Sequence, residues 1–369
     1  MKNISSHSLM KKYYNCFDDI TAYPDCWAYI IVGGRHTGKT YGALLNMYQQ
    51  KKKFIFIKRT NDDVKMICSK GQKAGMNVDI APFKSINRDI GSNIEAFPID
   101  KGLGGFYPCE NGEISGEIVG YIMSLNAVGK YKGSDFSECD YLVFDEFIPQ
   151  PWDRVGRKEG EQLLDLYGTV SRDRVLRGRE ELKLICLANA TNVYNPTCAA
   201  LSIVDDISSM NAQQKENTTV SLYDDERQIF IRMLPTPEEM LTHERKTGFY
   251  KAMHDTQWGA MAWDNDFSFN DFSCIGKKVL KGYKPVLSVL WKKTTYYIYS
   301  NELGQFYMTT SKSNTDIPFY NVNLERDIRR FYYEHVIDLV DATTDGRMFF
   351  QTYSMYDMIY NYKLRFKFT

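Results

Sequence analysis

Short apolar runs divided by longer polar stretches set the rhythm of the first two thirds of this chain. Ala28 to Val32 (AYIIV), Phe54 to Ile57 (FIFI), Tyr141 to Phe144 (YLVF) and Leu182 to Leu187 (LKLICL) are such runs. A continuous apolar run this short predicts a strand buried on both faces, as in a parallel sheet. Glu117 to Leu125, Val220 to Tyr223 and Ile229 to Met233 predict further strands, the last two parted by a turn at Asp224-Asp225. Helical spacing covers Tyr41 to Gln50 and Leu163 to Val170. Lys51 to Lys53 close the first of these with positive charge, as a helix dipole favours. Pro24 stops a short helix in the polar, Tyr-rich segment 1–24. Residues 61–115 have no strong periodicity beyond a short helix around Asp62 to Lys70. Pro235 and Pro237 break the strand pattern. A helix from Glu238 to Phe249 and a compact connector with Trp258 and Trp263 follow.

Near Cys274 the period changes. Pro285 to Trp291, Thr294 to Tyr299 and Gln305 to Thr310 alternate apolar and polar positions with turns between, which predicts an antiparallel three-stranded meander. Leu324 to Tyr333 and Tyr353 to Tyr362 read as helices packing on it. The expected organisation is a larger α/β domain with a central, mostly parallel sheet over residues 1–243. A short helical linker, 244–273, leads to a smaller α+β domain over 274–369.

Composition refines this only slightly. A length of 369 residues suits two domains, and 43% apolar with 25% charged residues can build ordinary cores. No stretch nears 18 consecutive apolar residues, so no membrane span is expected. The first residues, MKNISSHSLMKKYYN, lack the apolar stretch of a secretory signal. Eight Cys occur singly with no C-x-x-C, which points to a reducing cytoplasm, free thiols and no zinc site. Charge is balanced at 46 Lys/Arg against 46 Asp/Glu. From Cys274 onward it is 14 against 9, so the end of the chain is basic and the rest acidic. Either this is ordinary fluctuation or the C-terminal part faces a polyanion.

The chemistry concentrates at strand ends. Gly33 to Thr40, GGRHTGKT, matches G-x-x-x-x-G-K-[ST] at every fixed position, between a predicted strand and a predicted helix. In this motif backbone N–H groups of Gly33, Gly34, Arg35, His36, Thr37 and Gly38 wrap phosphates. Lys39 reaches the β/γ-phosphates, and the Thr40 hydroxyl ligates Mg²⁺. The helix N-terminus adds its dipole beneath the same anions. The expected ligand is therefore a nucleoside triphosphate with Mg²⁺, narrowed to ATP by the acid pair that follows. The YLVF run ends in Asp145-Glu146, a Walker B pattern. Asp145 would hold Mg²⁺ through water opposite Thr40, and Glu146 would activate the attacking water. Adjacent acids at a strand tip point to opposite faces, which separates the two roles. The pair indicates hydrolysis by the additional-strand-catalytic-Glu class rather than kinase chemistry.

Lys58 and Arg59 follow FIFI directly and read either as a solvated loop or as a contact to phosphate or nucleic acid. Asn189, past the LKLICL strand, is the candidate sensor of the γ-phosphate, unless it serves only a tight turn. Ser171 to Arg174, SRDR, offers arginines that either pair on the surface or act on a neighbouring subunit's phosphate.

With these residues placed, the sequence resembles the phi29-like bacteriophage DNA-packaging ATPases, relatives of the large terminase subunits. The resemblance runs through the phosphate loop with Arg35 at its third position, FIFIKR, VFDEF, TVSRDR and LICLANA with Asn195-Pro196. It continues through ERKTGF and WDNDF, in order across roughly residues 28–270. It implies a P-loop ATPase domain linked to an RNase H-like C-terminal domain that is a vestigial nuclease. It further implies a homo-oligomeric, pentameric ring that drives double-stranded DNA through the procapsid portal, with a structural packaging RNA, in the host-cell cytoplasm. By motif, Arg172 becomes the finger acting in trans and Arg35 an organiser of the phosphate loop. Asp338, Asp341 and Asp345 follow the meander rather than lie in it, so no nuclease activity is expected. A cutting terminase, a helicase or a non-motor nucleotide switch are the alternatives.

Overall fold

The computed structural model describes residues 13–35, 37–68, 80–214, 218–267 and 270–367. The chain divides into two compact units, Met1–Phe269 and Asn270–Thr369.

In the first unit the strands are β1 (Ala28–Gly33), β2 (Phe54–Lys58), β3 (Ile94–Asp100), β4 (Leu103–Glu110), β5 (Glu113–Ile114), β6 (Gly120–Ser124), β7 (Tyr141–Asp145), β8 (Lys183–Ala188), β9 (Val220–Asp224) and β10 (Ile229–Leu234). They form one sheet in the order β3-β4-β6-β2-β7-β8-β1-β10-β9, with β5 attached to β4. From β6 to β10 along this order every pairing is parallel. Ile30, Ile31, Phe54, Phe56, Val143, Ile185 and Leu187 are fully buried, which is why these strands need unbroken apolar runs. β8 pairs on one side with β1 and on the other with β7. The phosphate-loop strand and the Walker B strand are thus separated by one inserted strand, the architecture that the Asp-Glu pair predicts.

Residues 80–114 contain more than their pattern predicts. β3 and β4 form a hairpin at the sheet edge. β3 carries Pro98 and β4 carries Gly104, Gly105 and Pro108, so neither shows clean alternation. At Gly104 a Cβ would stand 2.4 Å from Cys68 Sγ and 2.9 Å from the Phe97 carbonyl oxygen. Pairing, not intrinsic propensity, makes these strands. Residues 238–264, read as the end of the first domain and the start of a linker, form the helix Glu238–Glu244, further short helices and a π-turn at Ala260–Asp264. They pack within the first unit, where Leu241, Ala262 and Trp263 share a small core.

The second unit holds the meander β11 (Lys284–Trp291), β12 (Thr294–Ser300) and β13 (Phe306–Thr309). β14 (Phe319–Asn321) joins β11 in parallel and β15 (Met348–Phe350) joins β13 in parallel. The predicted helix at Leu324 to Tyr333 continues much further: Glu325–Phe331, a π-turn Tyr332–Val336 and Ile337–Thr344 run end to end. Phe331 and Val336 are both buried but five positions apart, a step that breaks helical periodicity and that a π-turn accommodates. Asp338 and Asp341 are exposed on this helix, and Asp345 pairs with Arg347 at 2.8 Å.

Candidate nucleotide site

β1 ends at Gly33, and the helix Lys39–Gln49 begins six residues later. Gly38 caps that helix in the left-handed region, φ 73°, where a side chain is strained. Its missing Cβ also admits the Tyr13 ring, whose nearest atom would lie 2.3 Å away. Gly34 allows Thr236 and the Ala262 carbonyl to close on the loop, and the Arg35 N–H donates to that carbonyl at 2.7 Å. The Arg35 guanidinium lies over the Trp258 ring, 5.3 Å from its centroid. The segment after β10 therefore braces the phosphate loop, which its sequence does not announce.

Lys39 is only 8% exposed. Its ammonium donates to the carbonyls of Gly33 (2.8 Å) and Gly34 (2.9 Å), to Thr37 Oγ1 (3.0 Å) and to Asn189 Oδ1 (3.2 Å). Burial depresses its pKa to about 7, opposed by the Asp145 charge and assisted by Arg35. Thr40 Oγ1 donates to Asp145 Oδ1 at 2.6 Å. A hydroxyl and a carboxylate facing each other are hard oxygen donors that fit Mg²⁺ arriving with phosphate oxygens. Among the described residues no three His, Cys, Asp or Glu side chains form a metal site without such help.

Glu146 departs from expectation. Strand alternation would send Asp145 and Glu146 to opposite faces, yet one ammonium reaches both. Lys58 Nζ lies 2.9 Å from Asp145 Oδ2 and 3.4 Å from Glu146 Oε2. The cause is that β7 ends at Asp145 and Glu146 adopts φ 57°, a left-handed conformation costing roughly 1–3 kcal/mol in a non-glycine residue. Arg59 holds the turn: its Nη2 donates to the Glu146 carbonyl at 2.9 Å and the Phe147 carbonyl at 3.3 Å, and its Nε to Glu159 Oε2 at 2.6 Å. Burial works to lower the Lys58 amine, but the Asp145 and Glu146 carboxylates outweigh it and hold it above its ordinary value. Lys58 and Arg59 are therefore neither a solvated loop nor free cations. Their position at the tip of a buried strand was the signal for this, and their inward turn was not readable.

The cleft these residues line measures about 390 Å³ and collects Arg35, Thr37, Gly38, Lys39, Thr40, Asp145, Glu146 and Asn189. Gly33 contributes through its carbonyl. His36 lies outside the described residues. Arg172 is not in this cleft. It follows the helix Glu159–Ser171, is exposed, and belongs to the segment whose Arg174 binds the Cys139 carbonyl and Asp140. Those residues precede β7, whereas Asp145 ends it, so the segment that carries Arg172 lies at the end of the strand opposite the cleft.

Comparison with known proteins gives a consistent result. Residues 9–327 match the family model described as podovirus DNA encapsidation protein (Gp16). The DNA packaging protein of Bacillus phage B103 is 26% identical over 268 residues, 71% of this chain and 70% of that protein. That of Bacillus phage phi29 is 28% identical over 200 residues, 54% of each. Among solved structures, the bacteriophage phi29 viral genome packaging motor assembly aligns over 96% of this chain and 99% of that one, with a TM-score of 0.60 and 21% identity. The phi28 DNA packaging motor aligns with a TM-score of 0.57 at 17% identity, over 97% of this chain and 98% of that one.

Proposed function

Because the chain belongs to the podovirus DNA encapsidation protein family, we propose that it is an ATP-driven motor that moves double-stranded DNA into a procapsid. The observation that carries this reading is the arrangement at the end of β7. Asp145 faces the Thr40 hydroxyl at 2.6 Å, while a left-handed backbone turns Glu146 outward, 62% exposed, into the same cleft. One acid is placed for a phosphate-bound cation and the next for water.

In this reading the loop 33–40 holds the triphosphate and Lys39 its β/γ end. Mg²⁺, when bound with the nucleotide, neutralises phosphate charge. Glu146 orients the attacking water and accepts its proton. Asn189, hydrogen-bonded to Lys39, registers the terminal phosphate. Arg172 acts on a neighbour's nucleotide, which accounts for its place at the far edge of the sheet. That geometry favours a head-to-tail assembly, and a closed one makes a ring. The family supplies the remaining partners of the proposal: the portal, a packaging RNA and the setting of the infected host cytoplasm. Among the described residues no helix is long and apolar enough to cross a membrane. The second unit is proposed to lack nuclease activity, so plasmid incubated with Mn²⁺ stays intact.

Glu146→Gln keeps nucleotide binding and loses turnover by roughly 10²- to 10⁴-fold. Measuring ATP hydrolysis beside fluorescent-nucleotide affinity checks this, and near-normal turnover removes Glu146 from its role.

A further inference from the structure

Between Ile148, which is buried, and the helix that starts at Glu159, residues 149–158 (PQPWDRVGRK) cross the surface directly after the Walker B turn. Trp152 is 68% exposed. Arg154, Arg157 and Lys158 are exposed as well, and none of their side chains has an ion-pair or hydrogen-bond partner among the described residues. The one acid of the loop, Asp153, is turned back: it accepts from the Gln150 N–H at 2.9 Å and lies 3.7 Å from Arg59. Arg59 also holds Glu159, at the loop's far end. The loop is thus anchored at both ends and its acid is spent internally, which leaves three exposed cations and an exposed indole on one ten-residue stretch.

We propose that this loop is a contact of the motor with the phosphate backbone of double-stranded DNA, an assignment that rests on the DNA-translocating reading above. Three unpaired cations within five residues suit a ligand with about one phosphate per strand for every 3.4 Å of helix axis and need no base sequence, as a packaging motor requires. The exposed indole suits a sugar-phosphate surface, since its ring is apolar while its N–H donates. Pairing with the same loop of a second copy is the weaker fit. The loop offers no free acid to answer its own cations, and the other arginine-rich segment, 172–179, repeats positive charge rather than complementing it.

The test uses the full chain and a fluorescein-labelled duplex of arbitrary sequence, titrated at several salt concentrations. The triple variant Arg154→Gln/Arg157→Gln/Lys158→Gln is expected to bind at least tenfold more weakly, with the slope of log affinity against log salt reduced by about 2 to 3. Its melting temperature should match the wild type. A parallel variant in the second unit, Lys277→Gln/Lys281→Gln/Lys284→Gln, should lower affinity less. Unchanged affinity and slope in the loop variant overturn the assignment while leaving the motor reading intact. The assignment also fails if sedimentation shows the loop variant losing self-association at unaltered DNA affinity. A wild-type chain that binds no duplex overturns both.

Discussion

The two edges of the central sheet carry similar residues to different ends. At the edge where β1, β7 and β8 finish, charged groups crowd one another. Lys39 is buried among carbonyls, Lys58 spans two carboxylates, and Glu146 sits on a strained backbone. At the opposite edge Arg174 is buried with its hydrogen bonds satisfied by the Glu180 and Cys139 carbonyls and by Asp140. Two residues away, Arg172 is exposed. Charge at the first edge crowds an open cleft; charge at the second is either locked into the fold or left exposed. SRDR contains both kinds, so composition cannot tell a finger from a staple.

Substituting each arginine separates these roles most sharply. Arg172→Ala should lower turnover of the assembled protein by about 10³-fold or more, with no change in melting temperature. Mixing it with Glu146→Gln subunits should restore part of the activity. Failure to rescue at any ratio argues that Arg172 does not serve a neighbour's site. Arg174→Ala should do the reverse, costing about 3 kcal/mol of stability because the Glu180, Ser137 and Cys139 carbonyls lose a buried donor, while Asp140 keeps Arg179. Denaturant titration reads this. A loss of activity without a loss of stability would erase the distinction drawn between the two arginines.

The smallest expected effect concerns Lys39. With a pKa near 7 in the free protein, its amine is mostly neutral at pH 8.5. Triphosphate charge favours the ammonium, so binding at pH 8.5 should take up about one proton. Uptake should fade as pH falls below 7, where the amine is already charged. Calorimetry in buffers of differing ionisation enthalpy measures it. Binding with no buffer dependence at pH 8.5 would mean that burial does not depress this amine.

Much of the larger unit was legible because its signals are local. Buried parallel strands need unbroken apolar runs, so β1, β2, β7 and β8 stand out, and the phosphate loop and Asp145-Glu146 follow from contiguous motifs. The β3–β4 hairpin was not legible, since Pro98, Gly104 and Pro108 obscure the alternation that pairing imposes. The length of the helical run Glu325–Thr344 was hidden by the π-turn, which shifts the spacing of buried positions. The inward turn of Lys58 and Arg59 was hidden for another reason. A cation after a strand has the same local signature whether it meets water or carboxylate.

By itself, then, the sequence determined where the phosphate-loop and Walker B motifs lie, and at which strand ends they stand. Covalent order suffices for this, because a strand, a loop and a helix N-terminus are neighbours along the chain. Only the tertiary structure decided that β8 separates β1 from β7, that Lys58 bridges both Walker B carboxylates, that Trp258 supports Arg35 and that Arg172 lies outside its own cleft. Each of these joins residues distant in sequence, and their approach is set by the packing of the whole sheet rather than by any local preference of the chain.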